Sequence, residues 1–338
     1  MSSDFFLSIC IPSYNRPYEL ERLIRSIDCT DSSEIEIVVT EDKAPKREEI
    51  RAVINKLKES IPYTLNYYEN ESNYGYDKNL RSCAKKASGK WVIYMGDDDV
   101  FVEGSLDKFI SFLKDQDDLG YVLRRYRAEY ADGRTEEYRY DQKDVFFEPS
   151  VDSYVELFRR SLFISGFTFK KEYFNDYDCS DYDGTLLFQL YIEALICMKY
   201  PSAYCDIPIT KSIEGGIPYF GSSENEKNYE SGSNTFGNSI EFMKQVRRMT
   251  ESIDAKCGVN STDAIMKSYS KYSYGFLLEH RDDGVKVFTQ YARELKKIGF
   301  ASSGLFYIYY LGLLLLGKKG CQNLIIFLKK VLGKTPKL

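Results

Sequence analysis

The sequence predicts an α/β fold, a mostly parallel mixed sheet flanked by helices, followed by a C-terminal helical extension. Three observations indicate this fold. Short apolar segments rich in β-branched and aromatic residues alternate with segments in which apolar residues recur at helical spacing. Several of the apolar segments end in acidic or polar residues. After residue 238 the helical pattern continues to the end of the chain.

The N-terminal part of the chain carries the alternation. Compact apolar segments predict strands over residues 6–12, 35–39, 63–69 and 91–95. Helical spacing of apolar residues predicts helices over residues 17–27, 50–57, 80–87 and 105–113. A helix between successive strands implies right-handed crossovers, so these strands should form a parallel sheet with helices on both faces.

Less regular elements follow. Residues 121–140 are typical of two strands joined by a turn at residues 131–134, and residues 164–169 predict another strand. A helix is expected to begin at residues 182–185.

The composition changes near residue 215. Residues 215–238 are rich in Gly, Ser, Asn and Glu, which predicts either a loop that closes over bound substrate or a simple linker. We therefore expect a first domain over residues 1–215 and a helical C-terminal region over residues 216–338.

Three carboxylates follow the apolar segment that begins at Trp91. Asp97, Asp98 and Asp99 should lie at the carboxyl edge of the sheet, where ligands bind in open α/β proteins. Adjacent like charges repel, so a cation is expected among them. Mg²⁺ or Mn²⁺ carrying a nucleotide diphosphate fits, because these ions prefer oxygen ligands. The alternative is a solvated acidic turn before the next helix.

Glycine-rich phosphate loops are missing from the sequence. The first turn reads Pro-Ser-Tyr-Asn at residues 12–15, and neither G-x-G-x-x-G nor the complete P-loop signature G-x-x-x-x-G-K-[ST] occurs. The dinucleotide-binding and P-loop classes are therefore not expected, and phosphates would be held by a metal ion and side chains.

Four motifs in order resemble those of family 2 glycosyltransferases, which have the GT-A fold. They are Ile-Pro-Ser-Tyr-Asn at residues 11–15, Val-Val-Thr-Glu-Asp at 38–42, the polar turn at 70–75 and Gly-Asp-Asp-Asp at 96–99. The resemblance covers residues 5 to 210 or so. Within the family the chain is similar to bacterial polysaccharide and O-antigen transferases, abequosyltransferases included.

The resemblance implies a set of nucleotide-binding residues. Either Glu41 or Asp42 is expected to accept hydrogen bonds from the base or the ribose of the nucleotide, and the sequence does not decide between them. The implied nucleotide-binding residues are Pro12, Tyr14, Asn15, Glu41, Asp42, Asn73, Lys78, Asp97 and Asp98. Asp97 and Asp99 are the implied ligands of Mg²⁺ or Mn²⁺. Where many members carry an arginine this chain has Leu80, so Lys78 or Arg81 would have to provide the cation for the diphosphate.

The family's general base is an acid that follows a strand re-entering the site. Asp183 matches this position best, and Asp181 is the second choice; Asp178 and Glu172 also compete. The structural alternative for Asp183 is that it caps the following helix.

The resemblance implies an inverting glycosyltransferase that moves a sugar from a nucleotide-diphosphate donor to a saccharide acceptor, lipid-linked, in bacterial surface polysaccharide synthesis. Two other functions stay open at this point. A sugar-phosphate nucleotidyltransferase would also use a nucleotide, a metal and an α/β sheet, but the glycine-rich basic loop expected near its first strand is missing. A non-catalytic carbohydrate-binding or scaffold relative would keep the fold alone.

Charge and cysteine usage bear on location and partners. The eight cysteines are scattered without a C-x-x-C pair, which favours a reducing cytoplasm. The net charge of −5 gives no reason to expect a nucleic-acid partner. Residues 295–338, however, contain eight lysines and no acid.

The apolar segment 305–316 is shorter than the roughly 20 residues needed to span a bilayer. Because Lys318, Lys319, Lys329 and Lys330 follow it, one interpretation is a peripheral helix on the inner membrane face. The other is a buried helix of a C-terminal bundle.

Overall fold

A computed structural model describes residues 5–332, and the chain divides after Ser233 into two compact units. The sequence suggested a division after residue 215, but the following segment is hydrogen-bonded to the first unit. Asn225 Nδ2 donates to the carbonyl of Tyr74 at 2.9 Å, and the Tyr229 hydroxyl donates to the carbonyl of Thr185 at 3.0 Å.

The first unit is built around one ten-stranded sheet. Its strands are β1 (Leu7–Ser13), β2 (Ile35–Glu41), β3 (Thr64–Glu69), β4 (Trp91–Tyr94), β5 (Val100–Phe101), β6 (Tyr121–Glu129), β7 (Thr135–Tyr138), β8 (Val145–Phe147), β9 (Phe167–Lys170) and β10 (Ser202–Ile213). The order across the sheet is β3-β2-β1-β4-β9-β6-β10-β5, with β7 beside β6 and β8 beside β10.

The sheet is mixed. β1 pairs in parallel with β2 and β4, and β2 pairs in parallel with β3, which confirms the predicted crossovers. β9 is antiparallel to β4 and to β6, whereas β6 and β10 are parallel. Since β1, β2 and β4 run in one direction, the residues that follow them meet at one edge of the sheet.

Helices flank this sheet and form the second unit. In the first unit they are α1 (Pro17–Arg25), α2 (Arg47–Lys58), α3 (Tyr76–Lys86), α4 (Leu106–Asp115), α5 (Val151–Phe158), α6 (Lys171–Tyr177) and α7 (Phe188–Lys199). In the second unit they are α8 (Phe236–Cys257), α9 (Thr262–Lys271), α10 (Tyr274–Glu279), α11 (Val285–Ile298) and α12 (Gly304–Leu332).

The helix expected at residues 182–185 begins later, at Phe188. Its first amides are capped from α3, because the buried Asp77 carboxylate accepts from the amides of Leu186 at 2.8 Å and Phe188 at 2.9 Å. Burial raises the pKa of Asp77 to about 7. The structural alternative for Asp183, capping this helix, is therefore wrong.

In the second unit, α12 has an exposed apolar face. Ile308, Leu311, Leu315 and Leu316 are each more than half exposed, with Leu315 at 80%. The helix is interrupted at Gly317, whose φ of 66° is non-helical. Within residues 5–332, none of the helices has the length and apolar character needed to cross a membrane.

Candidate active site

A cavity of about 230 Å³ opens at the carboxyl edge of β1, β2 and β4. The predicted site residues that line it are Pro12, Tyr14, Asp42, Asn73, Asp97 and Asp98. The predicted residues that do not line it are Asn15, Glu41, Lys78, Asp99, Asp181 and Asp183. The chain thus brings together half of the expected set, from three strand ends and one turn.

Asp42 and Glu41 have separate environments. The buried Asp42 carboxylate lines the cavity and accepts from the amides of Tyr74 at 2.8 Å and Gly75 at 2.9 Å. Burial raises the pKa of Asp42 to about 6, so the group is ionised at neutral pH. Glu41 turns away from the cavity and accepts from the Ala44 amide at 2.5 Å and from the Arg47 guanidinium. Of the two, only Asp42 has access to a ligand.

Asp97 and Asp98 share one cation, the guanidinium of Arg16. Arg16 Nη1 lies 2.7 Å from Asp97 Oδ1, and Arg16 Nη2 lies 3.0 Å from Asp98 Oδ2. The second oxygen of Asp97 accepts from the Tyr14 amide at 2.9 Å. Burial raises the pKa of Asp97 despite the opposing charge of Arg16. The cation expected among the carboxylates is present as a side chain of the protein itself.

Asp99 belongs to the interior. It accepts from the Ser165 hydroxyl and, at 3.4 Å, from the Ile213 amide, and burial raises its pKa to about 7. The same Ser165 hydroxyl accepts from the Gly96 amide at 2.9 Å. As a metal ligand Asp99 is poorly placed in this conformation, because its oxygens are bound by Ser165 and by Ile213 of β10 and the residue does not line the cavity.

A segment after β10 forms one wall of the cavity. Tyr219 packs edge-on against Tyr14 with ring centroids 5.4 Å apart, and its hydroxyl accepts from Asn15 Nδ2 at 3.3 Å. Asn15, which donates this hydrogen bond, has a positive φ of 63°. The loop predicted over residues 215–238 therefore contributes Pro218, Tyr219 and Phe220 to the site.

Glu226 completes this wall. Its buried carboxylate accepts from the amide of Tyr76 at 2.6 Å and from the amide of Gly221 at 2.7 Å, which ties the segment to the start of α3. Glu226 was not among the predicted site residues, since nothing local in a loop indicates a partner 150 residues away.

The two basic residues considered for the diphosphate are both engaged elsewhere. Lys78 Nζ lies 3.8 Å above the ring of Tyr74. Arg81 bonds Asp178 at 2.7 Å and both oxygens of Asp183, at 2.9 and 2.7 Å. Arg16 lines the cavity instead. The signal that could have identified Arg16 was its position directly after the Pro-Ser-Tyr-Asn turn.

Asp183 is half-buried beside α3, and Asp181 is exposed. Burial raises the pKa of Asp183, and the charge of Arg81 opposes that rise. An elevated pKa favours proton acceptance near neutral pH. Asp183, however, does not line the cavity. In this conformation the acid predicted as the base is therefore not brought together with the carboxylates of the cavity.

The donor atoms around Arg16 fit a divalent ion. No cluster of three or more His, Cys, Asp or Glu side chains suited to a metal occurs within residues 5–332. However, Asp97 and Asp98 direct oxygens at a common position on the cavity wall, and Mg²⁺ is often held by one or two carboxylates plus substrate phosphates.

The charge balance of the cavity also favours binding of a divalent ion. Among the residues that the structure describes, its lining contains four carboxylates, Asp42, Asp97, Asp98 and Glu226, against the single cation Arg16. An anionic phosphate ligand would add to this excess, so it requires additional positive charge at the site.

Comparisons with known proteins identify the family of the chain. A sequence model described as Glycosyl transferase family 2 matches residues 8–178, about half of the chain. The chain is 24% identical over 203 residues to abequosyltransferase RfbV of Salmonella typhimurium, covering 57% of this chain and 60% of that protein. It is 32% identical over 105 residues to the GalNAc(5)-diNAcBac-PP-undecaprenol beta-1,3-glucosyltransferase of Campylobacter jejuni, covering 30% of this chain and 32% of that protein. The chain thus matches less than two thirds of the length of these curated relatives.

The fold is also that of a solved structure. Residues 1–349 of Staphylococcus aureus TarS, solved in complex with UDP-GlcNAc, superpose with a TM-score of 0.58 at 13% identity, covering 94% of this chain and 92% of that one. The likeness confirms the predicted GT-A fold, a mixed sheet flanked by helices with a helical C-terminal region. On the match of the family model over residues 8–178, the chain belongs to glycosyl transferase family 2.

Proposed function

We propose that this protein transfers a sugar, with inversion, from a nucleotide-diphosphate donor to a saccharide acceptor. The observation that carries the proposal is the convergence of Asp42, Tyr14 and the pair Asp97 and Asp98 on one cavity at the carboxyl edge of the sheet. A nucleotide needs an acceptor for its base or ribose, which Asp42 offers. It also needs positive charge for its phosphates, which a divalent ion held by Asp97 and Asp98 would supply.

Each residue has a role that follows from its surroundings. Asp42, held in place by backbone amides, would accept hydrogen bonds from the base or ribose, and Tyr14 would form the wall beside it. Asp97 and Asp98 would hold Mg²⁺ or Mn²⁺. When bound, the divalent ion would neutralise charge on the leaving diphosphate. Asp99 would not contact the ion; it would position the turn at Gly96 through the hydroxyl of Ser165, which bonds both residues.

We assign the base to Asp183 rather than Asp181. Asp183 is half-buried with a raised pKa, and Arg81 orients both of its oxygens, whereas Asp181 is exposed. The acceptor hydroxyl oxygen would form the new bond to the anomeric carbon and give its proton to Asp183. The bond between that carbon and the diphosphate oxygen would break, with its electron pair leaving on the diphosphate.

The test is hydrolysis of a panel of nucleotide sugars with and without Mn²⁺. In the absence of acceptor, we expect slow cleavage of one donor class, dependent on Mn²⁺ and abolished by Asp42→Ala. Asp118→Ala, a surface carboxylate change, serves as the matched control. Intact donors in every reaction, with no nucleotide binding, would contradict the proposal and favour a non-catalytic scaffold.

We further propose that the acceptor is lipid-linked, that the reaction contributes to surface polysaccharide, and that the protein works in the cytoplasm at the inner membrane face. The support is the activity named for the relatives, one of which acts on an undecaprenol-linked saccharide, together with the exposed apolar face of α12. Lys318 and Lys319 follow this face directly. Lysine side chains after Phe327 lie outside the part of the chain whose side chains are described.

Binding to vesicles tests the proposed location. We expect the full chain to sediment with phosphatidylglycerol vesicles and not with phosphatidylcholine vesicles, because anionic lipid attracts the lysines while Leu315 inserts. Leu315→Glu should reduce sedimentation severalfold. Val285→Glu, a change at an exposed apolar position at the start of α11, should leave it unchanged. Equal sedimentation of wild type and Leu315→Glu would contradict the proposal.

A further inference from the structure

Arg16 occupies an unusual position for a surface-loop arginine. Its side chain is only 16% exposed, and its guanidinium contacts both Asp97 and Asp98. Arg16 Nη2 also donates to the carbonyl of Ile217 at 2.5 Å, and the guanidinium lies 5.0 Å from the centroid of the Tyr219 ring. One side chain therefore connects the acidic turn after β4 to the wall that covers the cavity.

This arrangement makes Arg16 and a divalent ion mutually exclusive. Asp97 Oδ1 and Asp98 Oδ2 face the guanidinium at 2.7 and 3.0 Å, and these are the oxygens that would bind the metal. Two cations cannot share the position, because their charges repel at close range. If an ion binds Asp97 and Asp98, Arg16 has to move.

Once released, Arg16 could bind a diphosphate in the cavity. Arg16 is the single cation among the described cavity-lining residues, and the N–H donors of its guanidinium match two phosphate oxygens. Lys78 and Arg81 are already engaged with Tyr74, Asp178 and Asp183. A diphosphate bound in the cavity would therefore be contacted by Arg16.

We propose that Arg16 is an exchangeable counter-ion: it neutralises Asp97 and Asp98 while the site is empty and moves onto the diphosphate when metal and donor bind. The proposal rests on the proposed function and adds to it a positioning residue that the sequence did not indicate. The proposal also implies that metal and nucleotide bind cooperatively. The metal alone should bind weakly, and nucleotide should strengthen metal binding because its diphosphate draws Arg16 away from Asp97 and Asp98.

The consequence differs from that of a simple structural arginine. Removing Arg16 should free Asp97 and Asp98, so that binding of the metal alone becomes tighter. The same change should weaken binding of nucleoside diphosphate. A residue that merely holds the turn together would, when removed, weaken both.

The experiment measures Mn²⁺ alone by electron paramagnetic resonance, and a panel of nucleoside diphosphates by calorimetry, on the full chain. For Arg16→Gln we expect Mn²⁺ affinity to rise about fivefold or more in the absence of nucleotide. Affinity for the nucleoside diphosphate that binds wild type best should fall about tenfold or more. Arg16→Lys, which keeps the charge but loses the fork, should fall between wild type and Arg16→Gln in both measurements.

Arg25→Gln is the matched control, because Arg25 lies on the adjoining α1 and pairs with Glu21 away from the cavity. It removes the same charge and should change neither affinity. Unchanged or weaker Mn²⁺ binding in both Arg16 variants, with folding intact by circular dichroism, would overturn the proposal. If wild type binds no nucleotide at all, the proposed function fails, and the Mn²⁺ measurement still decides the role of Arg16.

Discussion

Replacing Asp97 with asparagine is expected to lower the rate of glycosyl transfer about a hundredfold or more. The substitution keeps the size of the side chain and an oxygen for the Tyr14 amide, but it removes the charge that faces Arg16. Stabilisation of a leaving diphosphate by a held cation amounts to several kcal/mol, and each 1.4 kcal/mol or so is tenfold in rate. Initial rates with saturating donor measure the effect.

A control separates this loss from unfolding. Asp117→Asn changes an exposed carboxylate that pairs with Lys90 and should leave the rate unchanged. The thermal midpoint of Asp97→Asn should stay near that of wild type, because burial already disfavours the charged form of this residue. Transfer within twofold of wild type would show that Asp97 holds no cation that matters to the reaction.

Asp183→Asn is expected to lower transfer to the acceptor about a hundredfold or more, while binding of the donor stays the same. General base catalysis contributes roughly 10² to 10⁴ in rate, and asparagine cannot accept the proton. The amide also loses the ion pair with Arg81, which retains Asp178 as its partner. Comparing kcat for transfer with the dissociation constant of the donor separates the two effects.

Asp181→Asn is the informative comparison for this assignment. Asp181 lies two residues before Asp183 and is exposed. The rate of transfer should therefore change by less than about threefold, as for most surface substitutions. If the Asp181 variant lost activity and the Asp183 variant retained it, the base would be reassigned to Asp181. Loss of donor binding in Asp183→Asn would instead assign Asp183 a structural role.

The first four strands of the sheet were predictable because local chemistry determines them. β1 and β4 are almost entirely buried, so their sequences are mostly apolar, and the helices between strands present one apolar face at regular spacing. The carboxylates after β4 could be placed at the sheet edge for the same reason. Asp97 was identified in this way, whereas Asp42 was a candidate, jointly with Glu41, because of the resemblance to the family.

Other features depend on contacts between residues far apart in the sequence. Glu41 and Asp42 are neighbours of the same charge, and only the tertiary environment, with Arg47 on one side and the amides of Tyr74 and Gly75 on the other, separates their roles. β10 was missed because its sequence, Ser-Ala-Tyr-Cys-Asp-Ile-Pro-Ile-Thr-Lys-Ser-Ile, is interrupted by Asp206 and Pro208, where its pairing with β6 shifts register.

The wall formed by Pro218, Tyr219, Phe220 and Glu226 lies beyond residue 178, where the match to the family model ends. Part of the cavity lining therefore lies outside the segment that matches the family model. Substitutions or insertions in this later part of the chain can change the shape of the cavity while the shared motifs at the sheet edge stay the same. Chimaeras that exchange only the shared segment between two members would consequently inherit a hybrid pocket.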